Sequence, residues 1–147
     1  MKFMKKQKFD ERQLWIRGNI FKHMFYTVAA LMLIDAMLTG FEIVWVNGYY
    51  SNIIILQVAV AIGAIEMIFR EVYVYDIKNQ KNITLLFGLL SLILLGLNIM
   101  EIIKGEKIIL NGALTNNGGS LILGLLYFLI ALAGLVKFLL DKFKKKD

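Results

Sequence analysis

Four apolar runs, roughly residues 24–46, 53–69, 83–103 and 120–140, fill most of this chain, and carboxylates interrupt three of them. An α-helix rises ~1.5 Å per residue, so about 20 mostly apolar residues cross a hydrocarbon core of roughly 30 Å. The second run lies at the short end of that range and the others meet it. A large soluble core also makes apolar helices, but those carry a polar face recurring about every 3.6 residues. Residues 83–103 offer only scattered Thr84, Ser91, Asn98 and Glu101. The pattern therefore predicts an all-α integral membrane protein. With 59% of the 147 residues apolar, little chain remains for anything else.

Charge supplies an orientation. The segment before the first run carries Lys2, Lys5, Lys6, Lys8, Arg12, Arg17 and Lys22; the link between runs two and three carries Arg70, Lys78 and Lys81. After the last run come Lys142, Lys144, Lys145 and Lys146, with Lys137 just inside it. Only Lys104 and Lys107 fall on the other side, so the positive-inside rule places both termini and the middle link in the cytoplasm. Trp45, Tyr49 and Tyr50 then form an outer aromatic anchor, and Tyr73 and Tyr75 an inner one. The basic flanks lie directly beside spans, without the stacking or groove-reading elements of a nucleic-acid binder. Attraction to anionic inner-leaflet lipid accounts for them, and no nucleic-acid partner is expected.

The expected organisation is a basic cytoplasmic arm and interfacial helix over residues 1–23, a transmembrane bundle over 24–140, and a basic tail over 141–147. Asp10-Glu11-Arg12-Gln13 has the spacing of a capping box, with Asp10 as N-cap and Gln13 reaching back. Ile16, Ile20 and Met24 follow at helical spacing, which suits a short interfacial helix feeding the first span. That first run begins too late, and is too long, for a cleavable signal peptide, so it reads as a retained span. Short links between spans favour an antiparallel four-helix bundle. Ala59/Gly63 and Ser120/Gly124 are small pairs, four apart, that allow helices to approach closely. Residues 104–119 read as the longest loop, with Thr115 to Gly119 as flexible turn chemistry.

The polar residues within the runs are the candidate functional groups. Asp35, Thr39 and Glu42 fall on one face of span one, with Asp35 near its middle. With Gln57 of span two and Asn98 and Glu101 of span three they would line an outward-facing polar vestibule able to take a cation or relay a proton. Interhelical hydrogen bonding is the plainer role for the same residues. Glu66 and Arg70, four apart, form a self-neutralising structural ion pair. His23, beside Lys22, is expected to snorkel at the inner interface. No cysteine excludes disulfides and thiolate metal sites, and one histidine excludes a bis-histidine haem within one chain. No metal and no cofactor are expected.

The stretch Lys8-Phe9-Asp10-Glu11-Arg12-Gln13-Leu14-Trp15-Ile16-Arg17-Gly18, running into Ile20-Phe21-Lys22, resembles the opening of small multi-span membrane proteins of Gram-positive bacteria that have no established activity. The likeness covers about fifteen residues and is one of hydropathy alone beyond them. It implies a multi-pass protein of a bacterial plasma membrane, and makes Asp10, Glu11, Arg12, Gln13 and Arg17 a candidate cytoplasmic docking element.

Two functional expectations follow. The first is a non-enzymatic accessory, regulatory or immunity-type protein working through a membrane-protein partner or as a homo-oligomer. The alternative is a small oligomeric proton- or cation-coupled transporter or channel built on the Asp35/Glu42 face. An enzyme would need a nucleophile–base pair or a metal cluster, and one histidine, no cysteine and dispersed acids assemble neither.

Overall fold

The structure, a computed structural model, describes residues 9–73 and 77–144. The basic arm through Lys8, Tyr75 in the middle link and Lys145–Lys146 in the tail lie outside the described residues. Four helices carry the chain: α1 (Glu11–Gly40), α2 (Tyr50–Phe69), α3 (Ile77–Ile103) and α4 (Asn116–Lys144). Between α3 and α4 sits a hairpin of β1 (Ile109–Leu110) and β2 (Ala113–Leu114). All four helices are long and apolar enough to cross a membrane.

The capping box forms at the start of α1. The Gln13 amide donates to Asp10 Oδ1 at 2.6 Å, and the Asp10 amide donates to Gln13 Oε1 at 3.1 Å. From there α1 runs without interruption for 30 residues, so the expected interfacial helix is the first part of α1 and not a separate element. Neither proline nor a bulge divides it, and Gly18 alone costs too little to break a helix anchored at both ends. Thirty residues make a rod of about 45 Å, longer than the roughly 30 Å of a hydrocarbon core.

Three helices end in the same way. At the end of α1 the Ile43 amide donates to Leu38 O at 2.9 Å and the Glu42 amide to Thr39 O at 3.0 Å. At the end of α2 Val72 donates to Met67 O and Glu71 to Ile68 O; at the end of α3 Glu106 donates to Glu101 O and Gly105 to Ile102 O. These are Schellman closures, which require a left-handed residue just past the helix. Gly105 fills that position after α3 with φ +92°, but Glu42 and Glu71 fill it after α1 and α2 with φ +59° and +60°. The first span therefore stops at Gly40 and not at Val46.

Across the molecule the helices lie in the order α1–α2–α4–α3. Consecutive helices are antiparallel, but the central pair, α2 and α4, run parallel: Gly119 and Tyr50 meet near their starts, and Lys137 and Glu71 near their ends. The four helices pack as an open row, and the parallel central pair departs from the fully antiparallel bundle expected from short links. Small residues draw each seam. Gly63 of α2 lets the Met24 side chain of α1 lie against its backbone. Ala61, Ala64 and Ile68 of α2 bury against Ile130 of α4. Gly124 and Gly134 of α4 sit against Leu95 and Thr84 of α3. Of the two small pairs, Ala59/Gly63 thus serves α2, and Ser120/Gly124 serves the α3–α4 seam.

Candidate functional site

One end of the row carries the β-hairpin. Asn111 and Gly112, at φ +52° and +82°, form the two-residue turn. Positive φ at both central residues is the signature of a type I′ turn, which Asn-Gly favours. β2 also takes an isolated bridge: Val46 pairs with Leu114 in parallel, with the Leu114 amide donating to Trp45 O at 2.9 Å and the Asn47 amide to Leu114 O at 2.8 Å. The hairpin thereby fixes the segment that follows α1.

That segment delivers Trp45 to Asp35. The indole Nε1–H donates to Asp35 Oδ1 at 2.5 Å, joining the last turns of α1 to the loop. Because α1 ends at Gly40, Asp35 lies five residues from the helix terminus, about 7.5 Å, and not at mid-helix. Thr39 Oγ1 donates to the backbone carbonyl of Asp35 at 2.9 Å, so its hydroxyl proton is held by its own helix. Asp35, Thr39 and Glu42 line one cleft of about 180 Å³ with Trp45 and Ser51. A second cleft, about 340 Å³, shares Asp35 and Trp45 and runs between α1 and α2 along Ile34, Leu38, Ile54 and Val58.

The other three members of the expected vestibule are elsewhere. Gln57, half-buried on α2, is on neither cleft wall. Asn98 is 4% exposed and ties α3 to α4, donating to Leu94 O at 2.7 Å and Ser120 Oγ at 3.1 Å. Glu101 pairs at 3.4 Å with Lys104, just past the end of α3. For Asn98 and Glu101 the separation follows from the helix order, since α1 and α3 occupy opposite edges of the row; Gln57, on the neighbouring α2, is outside both clefts. Residues 116–119, read as a flexible turn, are the first turn of α4. Thr115 caps it, its Oγ1 accepting from the Gly118 amide at 3.2 Å and donating to Lys107 O at 2.7 Å. Gly118 and Gly119 are there for closeness, lying against Ile108 O and the Tyr50 ring.

At the opposite end of the row the charges pair. Glu66 receives Arg70 Nε at 2.9 Å and, from α1, lies 3.1 Å from His23 Nδ1. His23 is thus a helix–helix contact as well as an exposed side chain. Arg17 donates from Nη1 to Val72 O at 3.3 Å and lies over the Phe9 ring at 4.3 Å. Of the candidate docking element, Asp10 and Gln13 are engaged in the cap, Arg17 is turned to Val72 and Phe9, and Glu11 and Arg12 are exposed. A third cluster escaped the sequence reading: Lys137 Nζ meets Glu71 Oε1 at 2.6 Å and Asp141 Oδ1 at 2.9 Å. Lys137 and Asp141 are four apart and readable as a helical pair, whereas Glu71 is distant in sequence.

Among the described residues no group of three histidine or acidic side chains is placed to hold a metal ion. No protein-family model, curated protein or solved structure matches the chain.

Proposed function

We propose that this is a multi-pass protein of a bacterial plasma membrane, termini cytoplasmic, acting without catalysis as an accessory, regulatory or immunity-type partner of another membrane protein. The observation that carries this reading is the open row. α1 and α3 each have one principal helical neighbour and expose large apolar side chains such as Leu33 and Leu92 around the rest of their circumference. In lipid no hydrophobic force separates a lipid-facing edge from a partner-facing one, so association there depends on packing and local polar contacts. An edge helix is where a foreign helix gains the most packing at the least cost. In this reading the first turns of α1, with Arg12, Arg17 and Lys22, lie at the inner interface against anionic lipid.

The test is site-specific photocrosslinking in native membranes. A photoreactive side chain at Leu33 or Leu92 is expected to give a discrete protein adduct, and one at Leu56 of α2 or Leu132 of α4 is not. Lipid adducts alone at both edge positions would overturn the reading.

A small transporter or channel remains the second reading, favoured by one observation: among the described residues the Asp35 carboxylate has an indole and no cation as its partner. Proton or cation flux in liposomes that disappears in Asp35→Asn is the result that reading requires.

A further inference from the structure

The two clefts at the hairpin end meet at the Asp35–Trp45 pair and differ in chemistry. The larger is a groove with mainly aliphatic walls; the smaller carries two carboxylates and, among the described residues, no basic side chain on its walls. α1 ends and α2 begins beside it, so the half-charges of the two helix ends, about −0.5 and +0.5, oppose each other. The carboxylates therefore dominate the local field. The Glu42 side chain makes no hydrogen bond or ion pair among the described residues, and its backbone is left-handed, just past the end of α1. Trp45 lines both clefts, and indole is the aromatic ring that best attracts a cation.

We propose that the double cleft binds an amphipathic alkylammonium ion. The ammonium sits with Asp35 and Glu42 beside the Trp45 indole, and the alkyl chain lies along Ile34, Leu38, Ile54 and Val58. A metal ion would leave the aliphatic groove without a role. A neutral chain would leave two carboxylates facing apolar matter, and an anion would be repelled by both. Only a ligand with a cationic head and an apolar tail uses every wall. Two sources carry this chemistry: a free long-chain amine, and a membrane lipid with a primary-amine headgroup. The proposal concerns binding alone; it rests on the membrane placement proposed above and on neither the partner nor the transport reading.

Trp15 and Trp45 are the two tryptophans, so a Trp15→Phe background makes emission report on the site. In nanodiscs of phosphatidylcholine and phosphatidylglycerol, dodecylamine and dodecyltrimethylammonium are expected to change Trp45 emission saturably, and dodecanol only in proportion to its partitioning. Asp35→Asn keeps an oxygen for the indole N–H yet is expected to weaken cation binding about tenfold, a loss of one decade in affinity. Glu42→Gln, beyond the end of α1, tests the charge where the helix is not at risk and is expected to weaken binding about threefold or more. Adding phosphatidylethanolamine separates the sources. Competition with dodecylamine identifies the lipid headgroup as the occupant, and unchanged affinity identifies a free amine. Dodecanol binding as tightly as the cations, or wild-type affinity in both variants, would overturn the proposal.

Discussion

The Trp45 indole donates to the Asp35 carboxylate at 2.5 Å, across the close of the first helix, and the β-hairpin holds Trp45 where it can do so. One polar contact thus links helix end, loop and hairpin. Trp45→Phe removes the donor and keeps most of the ring, leaving the carboxylate without its partner. A hydrogen bond to a charged group contributes roughly 1.5–3 kcal/mol, and that is the expected destabilisation. Trp45→Phe combined with Asp35→Leu is expected to cost less than the two single changes together. Reversible unfolding in mixed micelles measures all three variants, and strict additivity would show that the pair is not coupled.

Two buried polar residues of α3 are expected to respond in opposite directions. Ser91 is fully buried, and its hydroxyl has no hydrogen-bond partner among the described residues. Ser91→Ala therefore removes an unmet group, and stability is expected to hold or rise by about 1 kcal/mol. Asn98 donates to Ser120 across the α3–α4 seam. Asn98→Leu is expected to lower stability by about 0.6–1.7 kcal/mol, the range of interhelical hydrogen bonds in membranes. Thermal unfolding of the two variants side by side gives the signs.

Much of this architecture was legible because hydropathy records where a chain is surrounded by apolar matter. It does not record where a helix stops. Phe41, Ile43, Val44 and Trp45 keep the first run apolar past Gly40, so the end at Glu42 left no mark in the pattern. The Asn111-Gly112 turn did leave one, a two-residue Asn-Gly between short apolar stretches, yet residues 104–119 read as a loop, and the hairpin is a correction to that. Helix order was not readable. The glycines that set the seams also occur where nothing approaches them, as at Gly18 and Gly96. For the candidate site, helical spacing accounts for Asp35 and Thr39 on α1; Glu42 lies past the helix end in a left-handed conformation and shares their cleft through the turn, not as a third residue on one helical face. Gln57, Asn98 and Glu101 depended on which helices touch, and α1 and α3 lie at opposite edges.

Lys137 gives a prediction that separates burying a charge from pairing it. Its side chain is 10% exposed, while Glu71 and Asp141 are 68% and 45% exposed. Lys137→Met removes the buried ammonium and leaves two carboxylates that solvent can reach, so the expected cost is under about 1 kcal/mol. Glu71→Gln with Asp141→Asn leaves the ammonium buried without a countercharge, and the expected cost is about 3 kcal/mol or more. Unfolding free energies in the reverse order would show that the acids, and not the lysine, carry the burden of burial.

Glu42 and Glu71 occupy equivalent left-handed positions, and comparing them isolates backbone strain from side-chain contact. A left-handed conformation costs a residue with a Cβ about 1–2 kcal/mol, a cost glycine does not bear. Glu42 has no side-chain partner among the described residues, so Glu42→Gly is expected to stabilise the protein by about 1 kcal/mol, while Glu42→Ala, which keeps the Cβ, is not. Glu71→Gly relieves the same strain but removes the carboxylate 2.6 Å from Lys137. Its net effect is expected to be smaller than that of Glu42→Gly, or opposite in sign. In a Lys137→Met background the ion pair is already gone, and Glu71→Gly is then expected to stabilise as much as Glu42→Gly does. If the two glycine variants still differ there, the Lys137 contact is not what distinguishes the two helix ends.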